Sequence, residues 1–190
     1  EFYLYEGMAL AKLGETYKAI SSLETGKSLI INNKLLKAKF NSQLGITYHS
    51  VGNFQKSDEV FQKALVENDQ DPFIKNNYAY CLAERKQSNE NAKSLINKAI
   101  ALLVNHPILE DTYAFLLFQN EELEMAQKWI QQSLDHGGDK TGRTLELAGD
   151  IHAKLGKIPE AIAYWEKAQA IGGTSNLIEI KIADERYISK

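Results

Sequence analysis

Leu44-Gly45-Ile46-Thr47-Tyr48, Gly52-Asn53-Phe54 and Val60-Phe61-Gln62-Lys63-Ala64-Leu65 follow one another within residues 44–65. Phe40, Leu44 and Tyr48 recur every four residues and make one apolar stripe, the signature of a helix face. Gly52-Asn53 interrupts it, glycine being suited to a left-handed helix end and asparagine to a turn. Phe54, Val60, Phe61 and Ala64-Leu65 resume on a second helix that ends near Asp69-Gln70-Asp71-Pro72. Two antiparallel helices are predicted. Gly45 and Ser57 are small where the helices approach, because a branched side chain there would hold them apart.

The same arrangement recurs along the chain. Gly7, Gly45, Ala79, Ala114 and Gly149 are spaced by 38, 34, 35 and 35 residues. A second small residue follows each after 12 or 13 positions, at Ala19, Ser57, Ala92, Ala126 and Ala161. Four residues further stand the large side chains Leu23, Phe61, Ile96, Ile130 and Trp165. A period of this length marks a stacked array of supersecondary units. Gly14-Glu15 and Gly156-Lys157 supply the turn in the first and last units, whereas Glu121-Glu122 replaces glycine in the fourth and predicts a less sharply closed turn. The third unit carries an extra residue around Ser88-Asn89-Glu90. The prediction is all-α: a right-handed α-α superhelix of five hairpins over residues 1–33, 37–70, 71–105, 106–136 and 141–172. A capping helix over 175–188 closes it, with Leu177, Ile178, Ile182 and Tyr187 inward and Glu179, Lys181, Asp184, Glu185 and Arg186 facing water.

Leu44-Gly45, Tyr48, Gly52, Phe54, Phe61, Ala64-Leu65 and Pro72 together resemble the tetratricopeptide repeat (TPR). Gly149, Gly156, Ala161, Trp165 and Ala168 repeat the likeness, which covers roughly residues 2–171. Glu6 and Gly26 depart from it in the first unit. Residues 77–171 are similar to the C-terminal repeat block of bacterial multi-repeat TPR proteins, envelope lipoproteins included. That likeness rests on Asn76-Asn77-Tyr78-Ala79-Tyr80, Asp111-Thr112-Tyr113-Ala114 and Gly149-Asp150. The resemblance implies a periplasmic or outer-membrane-associated protein, with a cytoplasmic one as the alternative, and names no activity.

Composition narrows the function. The chain of 190 residues carries 22 basic and 25 acidic side chains, a net charge of −3, so a general polyanion or nucleic-acid binder is not expected. Cys81 is the single cysteine, and no apolar run approaches a membrane span. A lipid anchor outside the sequence stays open. The chain opens on Glu1-Phe2-Tyr3-Leu4 within a helical pattern and without an initiator Met, and is expected to be a fragment of a longer one.

No constellation of catalytic residues emerges. Gly137-Gly138-Asp139-Lys140-Thr141-Gly142-Arg143-Thr144 approaches a phosphate-binding loop, but Arg143 stands in place of Lys and the loop follows a helix instead of a strand. His49, His106, His136 and His152 make no pair at metal-ligand spacing. Glu121-Glu122-Leu123-Glu124 reads as a helix start favoured by the dipole, and Cys81 as a buried small apolar residue. Neither a catalytic residue nor a cofactor or metal is expected.

What remains is a surface. First helices line the concave side of such an array, and the side chains off the packing stripe are Gln43, His49, Asn76, Asn77, Tyr80, Glu84, Asp111, Phe115, Phe118 and Gln119, with Asp150 and Lys154 beyond them. The aromatic ones predict a groove for a peptide or helix of a partner protein. Chaperone-tail clamping is disfavoured, since Leu4, Met8, Gln43, Phe73 and Asn77 occupy the clamp positions without cations. The leading expectation is a non-catalytic interaction scaffold, within a bacterial envelope assembly. The alternatives are a regulatory or targeting module of an enzyme whose catalytic domain lies outside the sequence, and an architectural or self-associating module.

Overall fold

The computed structural model describes residues 1–86 and 89–188, so the extra residue expected near Ser88 lies outside the described residues. Among these, every regular element is helical, and no helix is long and apolar enough to cross a membrane. The chain divides into two compact units, Glu1–Leu82 and Ala83–Lys190.

The first unit holds α1 (Phe2–Lys12), α2 (Thr16–Ser28), α3 (Lys34–Ser50), α4 (Phe54–Glu67) and most of α5 (Pro72–Glu84). Side-chain acceptors cap the starts of α3, α4 and α5. Asn33 Oδ1 accepts from the Leu36 amide at 2.9 Å, and Asp71 Oδ1 accepts from Phe73 at 2.8 Å, just ahead of Pro72 in the first turn. Between helices the spacing of small and large residues becomes one contact. A Cβ on Gly45 would lie 2.5 Å from Phe61, and one on Gly7 2.5 Å from Leu23. Ser57 does further work at this junction, donating to the Gly45 carbonyl at 2.8 Å. Leu4, Leu23, Phe40, Leu44, Tyr48 and Val60 form the core around it.

The second unit holds α6 (Asn89–Leu102), α7 (Pro107–Gln119), α8 (Leu123–Asp135), a 3-10 turn (Gly138–Lys140), α9 (Gly142–Lys154), α10 (Ile158–Ile171) and α11 (Ile178–Ala183). Its cores repeat the device. Trp165 is fully buried, and a Cβ on Gly149 would lie 2.4 Å from its indole.

Two expectations are corrected. The turn at Glu121 is as tight as the glycine turns: its φ is 60°, against 74° at Gly52, and Glu122 N donates to Leu117 O at 2.9 Å as Asn53 N does to Tyr48 O. Glutamate is forced into the left-handed region because the hairpin contacts fix the path on either side. The closing helix is also shorter than its apolar pattern, ending at Ala183, and Lys181 is buried instead of facing water.

Candidate functional site

The side chains expected to line a groove divide between the units. In the first, Gln43 and His49 are half-buried on α3, with the His49 ring tilted 5.2 Å from Phe54. Asn77 and Tyr80 are half-buried on α5 and Asn76 is buried. Asn77 Nδ2 donates to Ser42 Oγ at 3.3 Å and so links α5 to α3. Asn76 Nδ2 reaches Asn77 Oδ1 at 3.5 Å, and among the described residues nothing donates to Asn76 Oδ1.

In the second unit Glu84 is exposed, Phe115 and Gln119 are half-buried, and Asp111 and Phe118 are buried. The sequence pattern predicts that Asp111 offers its charge to a ligand. It is instead ion-paired with Arg143 and only 2% exposed. Burial pushes its carboxyl up, against the pull of Arg143 and Thr144. The Gly-rich loop thereby acquires a structural reading. Gly142 lies where a Cβ would strike the Gly172 carbonyl, and Arg143 serves Asp111. Phe118 is covered edge-on by Tyr187, ring centroids 5.5 Å apart.

A register relation missed in the sequence explains these burials. The position three residues before each small residue is Leu4, Ser42, Asn76, Asp111 and Glu146, and all five are buried. In three of them the polar group is met by a side chain further along: Ser42 by Asn77, Asp111 by Arg143, and Glu146 by Lys181 at 2.7 Å. Lys181 stands 35 residues after Glu146, so α11 takes the register of a sixth first helix. One position earlier a second ladder ties first helix to second, Asn41 to Glu67 at 2.9 Å and Glu110 to His136 at 2.8 Å, both 26 residues apart. Buried polar groups need such partners. Aligning the repeats by column would have shown a polar position at constant offset from the packing glycine.

The densest charge cluster closes the second unit. Lys181 Nζ lies 2.7 Å from Glu146 Oε1 and 2.7 and 2.8 Å from the two oxygens of Asp150. Ser175 donates its amide and hydroxyl to Glu146, at 2.7 and 2.5 Å, and the Trp165 indole donates to Asp150 at 3.0 Å. Burial pushes Asp150 up to about 6 in spite of Lys181. Burial acts on Glu146 in the same sense, but Lys181 and Ser175 outweigh it and hold the carboxyl below its ordinary value.

Residues 38–66, the α3–α4 hairpin with its Gly45–Phe61 contact and left-handed Gly52 turn, match the sequence profile of the tetratricopeptide repeat. The fold is that of a TPR protein. A TPR repeat-containing protein of Methanocaldococcus jannaschii, MJ1428, is 24% identical over 141 residues, a match taking in 74% of this chain and 24% of that protein. The chain thus spans about a quarter of that relative's length. TTC0263, a thermophilic TPR protein of Thermus thermophilus, superposes with a TM-score of 0.82 over 96% of both chains at 15% identity. PilW, a type IV pilus biogenesis factor, superposes with a TM-score of 0.72 over 97% of this chain and 84% of its own, at 19% identity. At these identities the likeness to solved TPR structures is one of fold.

Proposed function

We propose that this chain is a non-catalytic scaffold that binds a peptide or helix of another protein on its first-helix faces. Support comes chiefly from the half-buried aromatics Tyr80 and Phe115 on those faces. Beside Tyr80 stands the half-buried Asn77, whose amide suits the donors and acceptors of an extended backbone. Large aromatics with low conformational cost are the usual anchors of protein recognition. The setting proposed is a bacterial envelope assembly, a reading that leans on the fold likeness to a pilus biogenesis factor.

Photocrosslinking residues placed singly at Tyr80 and Phe115, with Gln62 on α4 and Lys128 on α8 as second-helix controls, test it in the source cell. One discrete protein crosslinked from the first-helix positions and not from the controls is expected. Replacing Tyr80 and Phe115 by Ala then weakens that complex by about 1–4 kcal/mol. If the two changes lower stability and leave affinity untouched, these side chains belong to the core and the reading fails.

A further inference from the structure

Beyond Ala183 the chain departs from repeat geometry. Up to that point α11 keeps the register of a first helix and is pinned by Lys181. At Glu185 the backbone enters the left-handed region, φ 51°, and the segment turns back. Tyr187 comes to rest on Phe118, which belongs to α7 and not to the adjoining helices α9 and α10. Lys154 Nζ sits 5.5 Å from the Phe118 ring and 5.3 Å from that of Tyr187, and is itself held by Glu121 at 2.5 Å. Closing the end of a solenoid requires apolar cover on its last hairpin, which Ile178 and Ile182 already give. Tyr187 packs instead on a neighbouring cluster that includes Phe118, Ala148 and Ile151, with Lys181 Nζ 5.8 Å from its ring centroid.

We propose that residues 184–188 form a displaceable strap whose Tyr187 masks a recognition site for an aromatic side chain on Phe118 and Lys154. The inference rests on the scaffold reading and names the partner's chemistry in the second unit: a peptide presenting Tyr, Phe or Trp, which takes the place of Tyr187. The ligand ring meets Phe118 nearly at right angles while the Lys154 ammonium lies over both rings, an aromatic pair and a cation–π contact in one site. The strap is suited to release. Asp184, Glu185 and Arg186 are exposed, a non-glycine residue holds the left-handed turn, and the ion pairs of Lys181 keep α11 in place when the strap leaves. An attached Tyr187 acts at an effective concentration in the millimolar range, so a free aromatic peptide competes poorly until the strap is altered.

The test is NMR titration of the full chain and of its Tyr187→Ala variant with a synthetic peptide of residues 184–188, taken to ~10 mM, the range a short tether supplies. Saturable shifts confined to Phe118, Glu121 and Lys154 are expected in the variant, with at least tenfold weaker response in the unaltered chain and none when the peptide's Tyr is Ala. A variant that binds the peptide no better than the unaltered chain overturns the proposal. Hydrogen exchange on the unaltered chain supplies an independent readout. Residues 184–188 must open without α9 and α10, and opening only together with them also overturns it. Crosslinks from Tyr80 without peptide binding at Phe118 leave the scaffold standing and remove the strap; peptide binding without any crosslinked protein does the reverse.

Discussion

In the first unit, the buried residues ahead of the packing glycines are the apolar Leu4 and then Ser42, which is met by the neutral amide of Asn77. In the second, the same position is Asp111 and then Glu146, met by Arg143 and Lys181. Both solutions satisfy a polar group between successive first helices, yet their consequences differ. A neutral amide that loses its partner costs about one hydrogen bond, and its groups can pair with a ligand instead. A buried carboxylate that loses its cation is strongly unfavourable, so the ionic rungs fix the register of the helices. A neutral-amide rung can therefore exchange internal bonds for external ones at lower cost than an ionic rung can.

What the units share should respond alike. Phe61→Ala and Trp165→Ala each empty the seat beside the packing glycine and should destabilise by about 3–5 kcal/mol in urea unfolding. Trp165→Ala also removes the indole donor 3.0 Å from Asp150 and should exceed Phe61→Ala by about 1 kcal/mol. Equal losses would mean that the charge cluster draws nothing from the indole.

What the units do not share separates next. Lys181→Ala leaves Glu146 and Asp150 without their ammonium, a loss of about 3 kcal/mol if the carboxylates stay buried. Detachment of α11 rehydrates them and limits the cost, so the effect should appear as proteolysis after Gly172-Gly173 before any loss of α9 and α10. Asn77→Ala breaks its bond to Ser42 and the long 3.5 Å contact from Asn76, and should cost about 1 kcal/mol with no new cleavage site. Equal protease resistance in the two variants would abolish the distinction between the faces.

The hairpin is legible in the sequence because one contact generates three sequence marks: a small residue, another small residue a helix away, and a large one a turn later. Gly45, Ser57 and Phe61 carry it within a single unit. The polar rungs are not legible, because each joins residues some 35 positions apart whose hydrophilicity looks like exposure until both helices are in place. Asp111 thus reads as a ligand contact, and Arg143 as a failed phosphate-loop lysine, although each accounts for the other. The repeat pattern correctly sets Phe118 on a first helix, but nothing local to it shows that Tyr187 will cover it.

Acidity acts on the second unit alone at this cluster. Asp150 faces Glu146 on its own helix, Lys181 on α11, Trp165 on α10 and Tyr187 beyond α11. Its folded value, about 6, lies above the ordinary 3.8, so the folded state holds this proton more tightly than the unfolded chain. The group therefore favours folding most at low pH, and that contribution is lost as pH rises from about 4 to 6. Glu146 works the other way: its contribution is present above 4.5 and is lost as pH falls through its depressed folded value. Carbon-detected NMR should give Asp150 a midpoint near 6 and Glu146 one below 4.5. Asp150→Asn should gain stability relative to the unaltered chain as pH rises across the same interval, since the amide has no proton to lose.

The smallest difference sits in the hairpin turns. Gly52 takes φ 74° without a Cβ, whereas Glu121 takes φ 60° with one, at a cost of roughly 1 kcal/mol. Glu121→Gly removes that strain. It also removes the ion pair with Lys154, which involves a glutamate side chain 62% exposed and is worth well under about 1 kcal/mol. Glycine further raises the entropy of the unfolded chain, which offsets part of the gain. The sum should be a slight stabilisation, up to about 0.5 kcal/mol, whereas Gly52→Ala should destabilise by about 1 kcal/mol because alanine must enter the same left-handed turn. Unfolding in low and high salt separates the terms: the Glu121→Gly gain should grow with salt as the ion pair is screened in the unaltered chain. A loss of stability on Glu121→Gly at high salt would show that Glu121 is held by more than Lys154 and that the two turns are not equivalent.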